Sequence, residues 1–248
     1  MKTIRTKTFK LGILTRGSEN AKNLVLLIPG RLSTKDYTNF VSHADYLANR
    51  GFLAVAFDPP GTWDSPGSID LYTTTNYLNA INELIEYFGN RPTLLVGHSR
   101  GATAAILASM VNSAVIGIVL MMPNLGAPTA PSEEDIQKGF RLSYKDLPPG
   151  TSKTNKQKEF RLPIAYWTDG RQYNPAEALQ KCTKPKLLVY GTDDMFTPVN
   201  TVKELFKIIP EPKMLKEIVS DHTYRYQPEV IQEINEAMGR FIEQYELV

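Results

Sequence analysis

The stretch Leu94–Ala105 reads LLVGHSRGATAA, an apolar run that meets a serine set between two glycines and continues into small residues. Such a run, bounded by turn residues, reads as a buried strand, and its alanine-rich continuation reads as a helix. A hydroxyl at the junction of a buried strand and a helix needs a partner. Ser99 therefore reads as a group placed to react. Gly97-His98-Ser99-Arg100-Gly101 fits the pattern G-x-S-x-G, and it stands after a predicted strand and before a predicted helix. The tight turn expected there drives the serine backbone into a sparsely allowed conformation, and helix and strand approach too closely for side chains at Gly97 and Gly101. Ser99 then lies at the amino end of a helix, where backbone N–H groups point outward.

A serine hydroxyl is a poor nucleophile until a base accepts its proton and a third group holds that base. The chain has three histidines, His43, His98 and His222. His98 adjoins the serine, so its side chain should leave the turn in another direction. His43 lies in an amphipathic segment and reads as an ordinary helix residue. His222, in VSDHTYR, follows the last predicted strand in a loop, as a base reaching over a sheet edge would. For the acid, KLLVYGTDDMFTP ends a strand at Tyr190 and then offers Asp193 and Asp194. Carboxylates at the carboxyl end of a strand are well placed for function in open α/β sheets, and one of the two is expected only to make the turn.

Working outward, LVLLI, LAVAF, TLLVG, VIGIVLM, KLLVY and KMLKEIV alternate with longer amphipathic segments, which predicts an α/β fold with a mostly parallel sheet flanked by helices. The stretch KTIRTKTFKLGILTRG predicts two antiparallel strands ahead of the parallel set. Phe40, Ala44 and Leu47 share one helical face, as do Tyr77, Ile81, Leu84 and Phe88, with Gly89 as a stop. Ile231, Ile234, Met238, Phe241 and Tyr245 predict a C-terminal helix packed on the sheet. At 248 residues the chain is read as one domain, 1–248. Within it, residues 123–184 break the rhythm after the sixth strand. This stretch is rich in Pro, Gly, Lys and Ser and carries Phe140, Tyr144, Phe160, Tyr166, Trp167 and Tyr173. It is read as a cap or lid over a pocket, because long interruptions inside a compact domain tend to be functional.

Lys+Arg 28 against Asp+Glu 26 is too balanced for a nucleic-acid surface. The lone cysteine, Cys182, excludes an intrachain disulfide and fits a reducing compartment. Neither a signal-peptide stretch nor an apolar run long enough for a membrane span is apparent, so a cytoplasmic protein is expected. The oligomeric state is not readable.

With Ser99, Asp194 and His222 in that order, the chain resembles the α/β-hydrolase superfamily, whose members carry nucleophile, acid and histidine in this sequence and place the nucleophile on a G-x-S-x-G elbow. G-T-D-D-M-F-T-P resembles the family's G-x-x-D-x-x-x-P. That places the acid at Asp194, with Asp193 as the fallback. FDPPGTWDSPG resembles the family's D-x-R-G-x-G-x-S loop at Asp58, Gly61 and Ser65, and departs from it at Pro60 and Trp63.

The resemblance implies an oxyanion hole made of two backbone N–H groups, those of Arg100 and, from the loop after LVLLI, Arg31, with Leu32 next in line. It implies a substrate pocket to which Trp63, Leu32 and Trp167 contribute. The implied activity is a serine hydrolase acting on a small-molecule carboxylic ester or thioester, with no metal and no cofactor. The alternatives are an aminopeptidase-like amide hydrolase, for which Glu133, Glu134 and Asp135 would be a faint amine-binding signal, other acyl-transfer chemistry on the same residues, and a non-catalytic binding protein on the same fold.

Overall fold

The apolar runs singled out above all become strands of one sheet. The computed structural model describes residues 2–126 and 129–248, so Ala127 and Pro128 of the 123–184 stretch lie outside the described residues. In chain order the elements are β1 (Lys2–Arg5), β2 (Lys10–Arg16), β3 (Asn23–Ile28), α1 (Thr38–Ala48), β4 (Phe52–Phe57), α2 (Thr74–Tyr87), β5 (Thr93–His98), α3 (Arg100–Val111) and β6 (Val115–Met121). They continue with α4 (Glu133–Lys138), β7 (Phe140–Asp146), β8 (Gln157–Pro163), α5 (Ala165–Gly170), α6 (Pro175–Lys181), β9 (Lys186–Gly191), α7 (Val199–Ile208), β10 (Lys213–Ile218) and α8 (Pro228–Gln244).

The main sheet has the order β1-β2-β4-β3-β5-β6-β9-β10. β1 and β2 pair antiparallel, β2 joins β4 antiparallel, and from β4 onward all neighbours run parallel. Side chains alternate between the two faces of a strand, so β3 sends Leu24, Leu26 and Ile28 to one layer and Val25 and Leu27 to the other. The first layer is closed by α2, α3 and α7 and the second by α1 and α8. Phe40, Ala44 and Leu47 of α1 and Ile234, Met238 and Phe241 of α8 are fully buried there, each large side chain contributing about 1.5–3 kcal/mol. Helix α2 stops where expected. Gly89 takes φ +86° and its N–H reaches Glu86 O at 2.9 Å.

Parallel pairing of β3 with β5 sets Ile28 beside Gly97. The loop after β3 and the turn after β5 therefore open on the same sheet edge. Above that edge stands the excursion after β6, and here the sequence conceals regular structure: β7 and β8 form an antiparallel hairpin in a sheet of their own. Its strands, FRLSYKD and QKEFRLP, carry charges on both faces, which masks the period-2 pattern. Two carboxylates fasten the excursion to the body. Asp146 accepts from Arg225 Nη2 at 2.6 Å and from the Tyr226 hydroxyl at 2.6 Å. Asp169, on α5, accepts from the backbone N–H of Thr75 at 3.0 Å and from the Thr75 hydroxyl. At α6 the chain packs on the body, with Leu179 and Cys182 buried in the layer that holds α3. No helix among the described residues is long and apolar enough to cross a membrane.

Candidate active site

Ser99 sits in the turn between β5 and α3 with φ 54° and ψ −117°, a conformation that costs a non-glycine residue of order 1–3 kcal/mol. The crowding around it accounts for both glycines. A Cβ on Gly97 would lie 2.4 Å from the backbone of Gly101, and one on Gly101 would lie 1.9 Å from Ile28 O. Ser99 N–H donates to Met121 O at 2.9 Å, which ties the strained turn to β6.

His222 Nε2 lies 2.8 Å from Ser99 Oγ, and His222 Nδ1 lies 2.8 Å from Asp194 Oδ2. A carboxylate only accepts, so the ring proton sits on Nδ1 and leaves Nε2 free to accept from the serine hydroxyl. The other oxygen of Asp194 takes the backbone N–H groups of Phe196 at 2.8 Å and Thr197 at 3.2 Å. Asp193 is exposed, and its backbone N–H ties the turn to the loop after β10 by donating to Ser220 O. The structure thus brings Ser99, His222 and Asp194 into one chain and leaves Asp193 outside it. Its geometry suits transfer of a proton from Ser99 to the imidazole while the carboxylate holds the ring.

The other two histidines have separate tasks. His98 leaves the turn away from Ser99 and its Nε2 lies 3.0 Å from the backbone oxygen of His222, so it props the base loop from beneath. Burial, with His222 beside it, pushes its pKa well below the usual value and keeps it neutral. His43 is fully buried between α1 and α8, with Nδ1 2.6 Å from Asn235 Oδ1 and Nε2 2.9 Å from the Tyr224 hydroxyl.

Burial holds the His43 pKa down at about 4. The unfolded chain therefore takes up this proton before the folded one does. The stabilisation is complete above pH 6.5 and is lost as pH falls towards 4, by roughly 3 kcal/mol. Urea unfolding at pH 7 and pH 4.5 should show this loss, and His43→Gln should flatten the slope. An equal slope in that variant would assign the acid sensitivity to other groups.

Of the two loop N–H groups considered for an oxyanion, that of Leu32 is taken, donating to the Tyr72 hydroxyl at 3.0 Å. The N–H groups of Arg31 and Arg100 have no partner among the described residues. Gly30 packs against Ser99, where an added Cβ would come within 3.4 Å of the serine Cβ. The loop is shaped by Asp58, whose Oδ1 accepts from the Thr34 hydroxyl at 2.8 Å and Lys35 N–H at 2.9 Å and whose Oδ2 accepts from Asp64 N–H at 3.1 Å. Asp36, Asp58 and Asp64 are close enough together to hold a metal ion. The buried Lys35 ammonium already occupies the centre of that group, 2.6, 3.1 and 2.7 Å from the three carboxylates. Pro60 brings no cation to this loop, and Asp58 pairs with Lys35.

A cavity of about 320 Å³ opens above Ser99 and His222, walled by Tyr166, Trp167, Tyr173 and Phe196. Trp167 lies where a pocket residue was expected. Leu32 and Trp63 do not line this cavity. Leu32 is fully buried, and the Trp63 indole donates to Leu32 O at 2.9 Å and packs edge-on against Phe160, so both support the wall from behind. Phe196, edge-on to His222 with 4.9 Å between ring centres, escaped the sequence reading because it follows the acid in a loop with no periodicity. Lys145 and Arg225 also line the cavity. No sequence signal marks Lys145, since only the fold of the hairpin brings it over the serine.

The family model for the alpha/beta hydrolase fold matches residues 23–160, more than half of the chain. A 2-hydroxy-6-oxononadienedioate/2-hydroxy-6-oxononatrienedioate hydrolase of Paraburkholderia phymatum is 23% identical over 214 residues, covering 72% of this chain and 73% of that protein. Among solved structures, Est1E from Butyrivibrio proteoclasticus with ferulic acid bound superposes with a TM-score of 0.77 at 20% identity over 100% of both chains. A monoacylglycerol lipase of Paleococcus ferrophilus superposes at 0.73 and 20% identity over 95% of this chain and 99% of that one. An eight-stranded sheet of this order, a serine elbow after its fifth strand and the match from Asn23 onward converge on one statement: the chain belongs to the alpha/beta hydrolase fold family.

Proposed function

We propose that the protein is a serine hydrolase that cleaves the carboxylic ester or thioester of a small apolar or aromatic substrate through an acyl-enzyme on Ser99. The observation that carries this reading is the unbroken contact from Asp194 through His222 to Ser99 at the floor of an aromatic cavity. Ser99 Oγ attacks the carbonyl carbon as its proton passes to His222 Nε2. The carbonyl oxygen becomes an oxyanion held by the N–H groups of Arg31 and Arg100, an arrangement whose single donors contribute about 2.7–4 kcal/mol each. Collapse breaks the bond to the leaving oxygen or sulfur, which takes the proton from Nε2. Water then repeats the cycle in reverse roles and frees the acid.

The likeness to a ferulic-acid-bound protein and to a monoacylglycerol lipase is in keeping with an ester. An amide hydrolase that grips a substrate amine is disfavoured. Among the described residues no Asp or Glu lines the cavity; Glu133, Glu134 and Asp135 instead form the first turn of α4, capped by Ser132, with Glu133 and Glu134 exposed and Asp135 paired with Arg141. The segment 123–184 is read as the cap of this site, and the reducing compartment suggested by the single buried thiol of Cys182 favours a cytoplasmic enzyme.

A fluorophosphonate probe tests the reading, with the modified peptide mapped by mass spectrometry and Ser99→Ala run in parallel. Labelling confined to Ser99 is expected. Folded protein that neither takes the label nor hydrolyses short-chain esters would end it.

A further inference from the structure

The cavity over Ser99 carries four cationic side chains, Arg31, Arg100, Lys145 and Arg225, against no carboxylate among the described lining residues. Arg225 is neutralised by Asp146 at 2.6 Å. The others are not. Arg100 is buried, its guanidinium 4.2 Å from the ring centre of Tyr166 and 5.2 Å from that of Tyr72. Its one hydrogen bond goes to the Thr74 hydroxyl at 3.2 Å, and its Nε has no partner. Thr74 and Tyr166 both line the cavity, so this charge, on which Asp169 acts at longer range without an ion pair, lies in the cavity wall.

Lys145 is the more pointed case. It stands directly opposite Lys158 in the β7–β8 register, a like-charge pairing that destabilises a hairpin. Lys158 relieves it by lying over the rings of Trp63 and Phe160, at 5.0 and 5.2 Å. Lys145 turns to the cavity instead, with no ion-pair partner among the described residues, its neighbour Asp146 being taken by Arg225 and Tyr226. Burial, reinforced by Arg31 and Arg225, pushes its ammonium down to about 8. A lysine held under such strain, facing a reactive serine, is a site short of an anion.

We propose that the substrate bears an anionic group, a carboxylate or a phosphate, which docks on Lys145 and Arg31 while its apolar or aromatic body lies along Tyr166 and Trp167. This rests on the serine-hydrolase reading and narrows it to acidic esters, such as monoesters of dicarboxylic acids. Arg100 adds its charge from the wall, and no carboxylate among the described lining residues stands against the anion.

The test uses nitrophenyl acyl esters matched in length and ending in a methyl, a carboxylate, a phosphate or an amine. The wild-type chain should favour an anionic ester over the methyl ester in kcat/KM by about tenfold or more, the size of one charge-assisted hydrogen bond. The larger of the two anionic gains identifies carboxylate or phosphate. Lys145→Met should collapse that ratio, chiefly through KM, and Lys145→Glu should invert it towards the amine-ended ester. A wild-type ratio of one or less, or a ratio that Lys145→Glu leaves unchanged, overturns the proposal while turnover of the methyl ester leaves the hydrolase reading standing. Should no ester be cleaved, calorimetric titration of Ser99→Ala with glutarate and with a phosphate of similar length decides the anion site alone. Binding weakened by Lys145→Glu upholds it, and no binding of either anion ends it.

Discussion

Ser99→Ala and His222→Ala should each lower kcat by about 10⁴-fold or more on any ester the protein cleaves, and the double variant should fall little further. The expectation follows from a single hydrogen bond. With His222 Nε2 2.8 Å from Ser99 Oγ, the proposed mechanism needs the imidazole to take the serine's proton before Ser99 can attack. Removing either partner removes the same step, leaving the Arg31 and Arg100 N–H groups and the binding of the substrate body to supply what rate remains. Steady-state kinetics on the three variants checks this. Losses that multiply would mean that the two side chains act in separate steps.

Asp194→Asn should cost a comparable factor, about 10⁴-fold in kcat, whereas Asp193→Asn should change it by no more than a few-fold. Oδ2 of Asp194 faces His222 Nδ1 at 2.8 Å, and Oδ1 is kept in place by the N–H groups of Phe196 and Thr197. Those two donors need an oxygen, so the substituted side chain must turn its amide nitrogen towards His222. Nδ1 is then made an acceptor, the ring proton moves to Nε2, and the imidazole can no longer receive a proton from Ser99. The side chain of Asp193 is exposed, and its place in the turn is made by its backbone. Kinetics of the two variants, with circular dichroism to show that each is folded, separates these roles. The reverse order of effects would transfer the acid to Asp193.

Much of this was legible in the residues alone, for identifiable reasons. The strands from Leu24 to Met121 are buried on both faces, so their apolar runs are continuous and easily read. Ser99, Asp194 and His222 follow strand ends, where elbow glycines and the G-T-D-D turn leave local marks. Position alone puts the loop N–H of Arg31 ahead of that of Leu32, and no local mark announces that the Leu32 N–H is taken by the Tyr72 hydroxyl, forty positions away. Trp63 and Leu32 were placed in the pocket because the sequence cannot tell a wall's inner surface from its support. The β7–β8 hairpin was hidden by Arg141, Lys145, Lys158, Glu159 and Arg161, charges that a solvent-facing ribbon tolerates and a core strand does not. Lys145 could be found only once that hairpin was folded over the serine.

The two carboxylates that fasten the excursion, Asp146 and Asp169, hold it from opposite ends. Asp146 grips Arg225, three residues beyond the base His222, and Asp169 grips the first turn of α2 through Thr75. On the proposed reading, this stretch is a roof over the serine, riveted at two corners. The rivet at Arg225 also belongs to the loop that carries His222, so the roof and the base share a foundation. Substrates of the proposed hydrolase would then meet a doorway whose frame also holds the histidine behind it.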